Sequence, residues 1–197
     1  LTRPPNNPVS QIRAWDFAAS EKTKTNDPDW TAGVKMCRDK VGIYYVVDVV
    51  RIQATTDKVL RTVIETALSD GLDECQVCIP VDPGAGGKTA ASYYLTVLAE
   101  NGIAARTKQT TGHSSKLTRF KPLCALAEAG SLRVVKGAWN DAFFAELENF
   151  TGERSQKMLK DDQVDSAADA FSMLARQISI PNFVVPTITQ ASPVPRI

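Results

Sequence analysis

A change of rhythm near residue 55 limits the folds open to this chain more than any other feature. Before it, three β-rich runs follow one another: IRAWDFAA (12–19), WTAGVKMCRD (30–39) and VGIYYVVDVVRI (41–52). The last two are joined by a tight turn near Asp39-Lys40 and read as a hairpin. After it, helical and strand patterns alternate. TTDKVLRTVIETALSDG spaces Val59, Val63 and Ala67 helically and stops at Gly71. QVCIPVD is an apolar strand, KTAASYYLTVLAENG a helix closed by Asn-Gly, and IAARTKQ an edge strand. SKLTRFKPLCALAEAG, with Pro122 near its first turns, and AWNDAFFAELENF are helices separated by the short strand SLRVV. DDQVDSAADAFSMLARQI carries an apolar stripe from Val164 to Ile178. A three-strand antiparallel meander followed by βα units implies an α/β fold: a mixed sheet, with parallel strands added, covered by helices on both faces.

With 197 residues, the chain has the length expected of one domain. The start, LTRPPNNPVS (1–10), reads as a linker remnant, residues 11–178 as the domain, and the Pro-rich 179–197 as an extended or disordered tail. A net charge of +1 announces no nucleic-acid partner by itself, so such a partner must be argued from local clustering. No stretch is long and apolar enough to span a membrane, so none is expected as a partner.

The pair Cys75 and Cys78 raises the question of zinc. The other two cysteines, Cys37 and Cys124, are isolated, and the pair enters an apolar run, so a buried strand is expected instead. Reduced thiols fit a cytosolic setting. His113, the single histidine, lies beside Ser114 on a polar loop, and sequence neighbours there rarely face each other.

VDPGAGGKT (81–89) is one substitution from a phosphate-binding loop: Gly87-Lys88-Thr89 fit, but Asp82 stands where the first glycine belongs. A carboxylate there would repel a phosphate, so the better reading makes Asp82 a metal ligand. Gly84, Gly86 and Gly87 would then form a turn whose backbone passes close to a ligand or DNA.

Two further acidic places stand out, Asp16 inside an apolar strand and Asp161, Asp162 and Asp165 at the start of the last helix. An Asp at a strand end or in a first helical turn is often only structural. Asp16 is harder to explain so, because a buried carboxylate without a cation is costly. Carboxylates converging on one or two Mg²⁺ or Mn²⁺ ions remove that cost and suit phosphodiester hydrolysis. Between Glu100 and Glu128 there is no acid, while Arg106, Lys108, Lys116, Arg119 and Lys121 accumulate beside Lys88 and the glycines. Such a strip suits a phosphate backbone, and nothing resembles a groove-reading motif. A solvated basic face is the alternative.

RAWDFAAS, the hairpin, IPVDPGAGG, SSKLTRFKP and KDDQVDSAADAF, in this order, resemble the C-terminal nuclease domain of the large terminase subunit of tailed bacteriophages. The resemblance runs over roughly residues 10–178. It implies a ribonuclease H-like fold related to RuvC, with metal-dependent cutting of concatemeric viral DNA. It makes Asp16, Asp82 and Asp162 catalytic and adds Asp161 and Asp165 as metal ligands, with two divalent cations, Mg²⁺ or Mn²⁺, as cofactors. The family's Asp-x-x-Asp spacing favours Asp162 with Asp165. Helical geometry places Asp161 and Asp165 nearer the apolar stripe, and the choice stays open. Lys116 and Arg119 would contact double-stranded DNA. The resemblance further implies an ATPase motor domain in the same polypeptide, portal protein and small terminase subunit as partners, and the host-cell cytoplasm as location. Competing readings are a Holliday-junction resolvase-like nuclease, an ATP-binding module using Gly87-Lys88-Thr89, and a non-catalytic adaptor.

Overall fold

The computed structural model describes residues 1, 3–18, 23, 27–109, 116–151 and 160–177. Six strands form one mixed sheet: β1 (Ser10–Asp16), β2 (Thr31–Arg38), β3 (Tyr44–Ile52), β4 (Gln76–Val81), β5 (Ala105–Gln109) and β6 (Leu132–Val134), ordered β5-β4-β1-β2-β3-β6. β1, β2 and β3 are the expected antiparallel meander. β4 lies parallel to β1, β5 parallel to β4, and β6 parallel to β3. The helices are α1 (Thr56–Asp70), α2 (Ala85–Glu100), α3 (Lys116–Glu128), α4 (Asn140–Asn149) and α5 (Asp162–Arg176).

Strand side chains alternate between faces, so β1 builds two cores at once. Ile12 and Ala14 join Cys78, Phe143, Ala167 and Leu174 under α3, α4 and α5. Trp15 points the other way and packs with Val59, Val63, Tyr94 and Leu98 of α1 and α2. Cys75 and Cys78 are buried free thiols, as their place in an apolar run implies, and burial pushes both up to about 12.

Three features differ from the sequence expectation. The first strand ends at Asp16 instead of running to residue 19, because the chain turns to lie against Thr31, whose hydroxyl oxygen accepts the Ala18 N–H at 3.0 Å. α2 begins at Ala85, not Lys88, so Gly86 and Gly87 are wound into its first turn; of these three glycines only Gly84, with φ of 98°, takes a conformation that needs glycine. The N-terminal segment also lies along the sheet: the Val9 N–H donates to the Arg38 carbonyl at 2.8 Å, and the Lys136 N–H to that of Leu1 at 2.7 Å.

On the α1 side, Arg13 is 2% exposed and is the cation that holds β1 in place. Its guanidinium donates to Asp70 (2.6 and 3.0 Å), Asp48 (2.7 Å) and the Gly33 carbonyl (2.9 Å), tying three strands to the end of α1. Burial works against the charge of Asp70, but the Arg13 hydrogen bonds and positive charge prevail and hold its carboxyl below the usual range. No described helix is long and apolar enough to cross a membrane. The Pro-rich tail, His113 and Ser114 lie outside the described residues.

Candidate active site

Parity along two neighbouring strands starts the site. Ile12, Ala14 and Asp16 share a face of β1; on β4, Cys78 and Pro80 share it, and Asp82 follows in the same phase. Because β1 and β4 are parallel, with Ala14 level with Cys78, both acids leave the sheet at carboxyl-terminal strand ends. α5 crosses that same face. Its Ser166 hydroxyl accepts the Val34 N–H at 3.0 Å and donates to the Ala14 carbonyl at 2.7 Å, bridging β1 and β2 two residues before Asp16. That bond, with the small residues Ala167 and Ala170 in the core, seats the first turn of α5 over the strand ends.

The result is a cleft of about 250 Å³. Asp16, Asp82, Asp161, Asp162 and Asp165 all line it, as do Asp29 and Asp169, which the sequence reading did not single out. Asp169 was legible, since it lies one helical turn beyond Asp165. Asp29 was not, because it sits in a polar loop with no periodicity. Asp161 is the N-cap of α5, outside the helix proper, and Asp162 the first helical residue, so both reach the cleft. Asp162 is anchored by the Trp30 N–H, which donates to its Oδ2 at 3.0 Å.

So many carboxylates in one place repel each other. Burial, then the charges of Asp165 and Asp162, push the Asp16 carboxyl up to about 8. Burial also raises Asp162 to about 6 against the Trp30 hydrogen bond, with Asp29 and Asp161 adding repulsion. Asp165 is raised by burial, although Lys116 and Arg119 oppose it.

The basic residues divide into two groups. Lys116 reaches into the cleft and pairs with Asp161 and Asp165, both at 2.7 Å. Arg119 donates to Asp165 at 2.8 Å, and Lys108 is paired with Asp169. Burial would lower the Lys116 ammonium, yet its carboxylate partners raise it above its ordinary value. Lys88, Arg106 and Lys121 remain exposed at the surface. Half of the expected basic strip is therefore turned inward as counter-charge.

The donor set is all carboxylate oxygen, which suits a hard divalent cation, and the raised acids record a shortage of positive charge that such an ion would meet. Among the described residues, no three acidic, His or Cys side chains already surround one point at coordinating distance. Lys116, lodged between Asp161 and Asp165, accounts for part of that spread.

The near-match to a phosphate-binding loop is also explained. The chain passes from β4 to α2 in three residues, 82–84, leaving no open loop to wrap a phosphate. Thr89 donates its hydroxyl to the Ala85 carbonyl at 3.0 Å, a bond within the helix. A Cβ at Gly87 would overlap the Asp82 carbonyl oxygen, so this glycine serves close helix–strand contact.

A family model for the terminase RNaseH-like domain matches residues 13–174. The chain belongs to this family. Similar solved structures include the large terminase nuclease of phage G20c with bound magnesium, at 21% identity and TM-score 0.59, covering 87% of this chain and 84% of that one. Another is the Thermus phage P74-26 large terminase nuclease domain, at 19% identity and TM-score 0.56, covering 83% and 79%. The fowlpox virus resolvase with Holliday junction DNA is similar at 13% identity and TM-score 0.53, covering 86% and 99%. At these identities the likeness establishes the ribonuclease H-like fold, in agreement with the mixed sheet and its two helical layers. No curated protein matches the chain in sequence.

Proposed function

We propose that this chain is the metal-dependent DNA endonuclease domain of a viral genome-packaging terminase, cutting concatemeric double-stranded DNA with little sequence specificity. The observation that carries this reading is the cleft, where Asp16, Asp82 and the first turn of α5 meet although far apart in sequence. Family membership supports it, as does the magnesium bound in the G20c nuclease structure.

Asp16, Asp82 and Asp162 are the catalytic acids in this reading, with Asp161 and Asp165 completing the ligands for two divalent cations, Mg²⁺ or Mn²⁺. When bound, such ions activate a water and stabilise the leaving oxygen of a phosphodiester. The chain's own part is to hold the acids. β1 and β4 place two of them at adjacent strand ends, Ser166 seats α5 against β1, and the Trp30 N–H fixes Asp162. Lys116 and Arg119 line the same cleft, where an incoming phosphate would meet them. Exposed Lys88, Arg106 and Lys121 extend positive charge outward for the DNA backbone. An ATPase motor in the same polypeptide, portal protein and small terminase subunit are the proposed partners, and the host-cell cytoplasm is the proposed location.

The test is cleavage of supercoiled plasmid with Mn²⁺, with and without EDTA. Asp16→Asn and Asp82→Asn should each lose roughly 100-fold or more of the rate, the scale seen when one charge partner of a transition state is removed. Cutting by both variants at the wild-type rate would refute the mechanism. A parallel arm with a four-way junction addresses the likeness to the resolvase: preference for the junction over plain duplex would favour that reading instead.

A further inference from the structure

Helix α5 carries three acids of the cleft in its cap and first turn, and the first N–H groups of any helix need acceptors from outside the helix. An N-cap Asp usually supplies one by folding its carboxylate back onto the second or third residue. Asp161 is the N-cap of α5 and makes no such bond; its carboxylate lies on Lys116 in the cleft instead. A residue from another helix has taken over that task. The Glu146 Oε1 of α4 accepts the Gln163 N–H at 2.6 Å and the Val164 N–H at 3.0 Å, the second and third residues of α5. Its Oε2 accepts the Gln163 side-chain amide at 2.5 Å.

Glu146 is 7% exposed and lies three residues beyond the buried Phe143, on the apolar side of α4, where a carboxylate has no solvent to stabilise it. Its bonds explain its presence there. We propose that Glu146 is a positioning residue, a cap supplied in trans to α5 that leaves the Asp161 carboxylate free for the cleft. The proposal rests on reading the cleft as a cation site. Without Glu146, the N–H groups of Gln163 and Val164 lose their acceptor, Asp161 turns back to cap its own helix, and the cleft loses a ligand. Glu146→Gln is a fair control. It keeps the Oε1 acceptor for both backbone N–H groups, and the buried Gln163 Oε1, which has no partner among the described residues, can accept from the new amide once the Gln163 side chain flips, at the expense of the long 3.3 Å bond that the Gln163 amide donates to the Ala142 carbonyl.

The test uses the full 197-residue chain and Mn²⁺ alone, without DNA, by titration calorimetry. Glu146→Ala should weaken Mn²⁺ binding about 10-fold, the scale for residues that orient a metal ligand. Asp161→Asn should weaken it similarly, and the double variant should be no weaker than either, because both changes remove the same carboxylate. Glu146→Gln should bind as wild type does. Wild-type affinity in Glu146→Ala, or additive losses in the double variant, overturns the proposal. If Glu146→Ala does not fold, Glu146→Asp, one methylene too short for its oxygen to reach these N–H groups, replaces it and is read in the same way.

Amide hydrogen exchange in EDTA keeps the question separate from the metal reading. Protection of Gln163 and Val164 should fall in Glu146→Ala and fall further when Asp161→Ala is added, since residue 161 then carries no side-chain oxygen to serve as a substitute cap. Equal exchange in these two variants overturns the proposal even if wild type binds no Mn²⁺, a result that by itself would sink only the proposed function.

Discussion

Asp16→Asn should make the metal-free protein more stable while removing its capacity for a divalent cation. The carboxyl is pushed up to about 8, first by burial and then by Asp165 and Asp162, from an ordinary 3.8. Folding at neutral pH therefore has to take up a proton that the unfolded chain has released. At about 1.4 kcal/mol for each pH unit above the ordinary value, the cost at pH 7 is about 4 kcal/mol. The sign is that of a raised acid: no cost below about pH 4, a growing one between about 4 and 8, and a constant one above. Asparagine has nearly the same shape and no charge, but its amide needs partners of its own, so a net gain of about 2–4 kcal/mol is expected. For a protein of this size that corresponds to a rise in Tm of roughly 5–15 °C. Thermal unfolding followed by circular dichroism in EDTA at pH 5 and pH 8 measures it. The gain should be larger at pH 8, and Mn²⁺ should raise the Tm of wild type but not of the variant. If Asp16→Asn is no more stable than wild type at pH 8 in EDTA, or gains more at pH 5, the account of the cleft as a charge-frustrated cation site is wrong.

Two other substitutions probe the same cleft. Lys116→Gln removes the cation shared by Asp161 and Asp165, so calorimetry should show Mn²⁺ binding severalfold tighter without DNA; unchanged affinity would mean that the ammonium does not compete with the ion. Gly87→Ala drives a Cβ onto the Asp82 carbonyl and should lower stability in urea by about 1–3 kcal/mol, the cost of overpacking a fitted contact. It should also weaken Mn²⁺ binding by displacing Asp82, and a stability equal to wild type would show that α2 moves aside freely.

What the sequence determined by itself was local and periodic. Apolar, β-rich runs marked β1, β2 and β3, the spacing of Val59, Val63 and Ala67 marked α1, and the apolar stripe marked α5. The order of those elements was enough for a mixed sheet with two helical layers. Five acids of the cleft were visible as well, because a carboxylate inside an apolar run or grouped at a helix start departs from its surroundings. Residues whose importance depends on what stands opposite them were not legible. Asp29 is an ordinary loop aspartate until β2 brings it beside α5. Lys108, Lys116 and Arg119 read as an outward basic strip because spacing carries no information about which way a long side chain turns. The acids opposite draw them inward. Glu146 gave a faint sign as an acid on the apolar side of a helix, but its partners lie seventeen and eighteen residues on, in another helix. Only the tertiary structure decided these roles, since hydrogen bonds and ion pairs act over a few ångströms of space, whatever the distance along the chain.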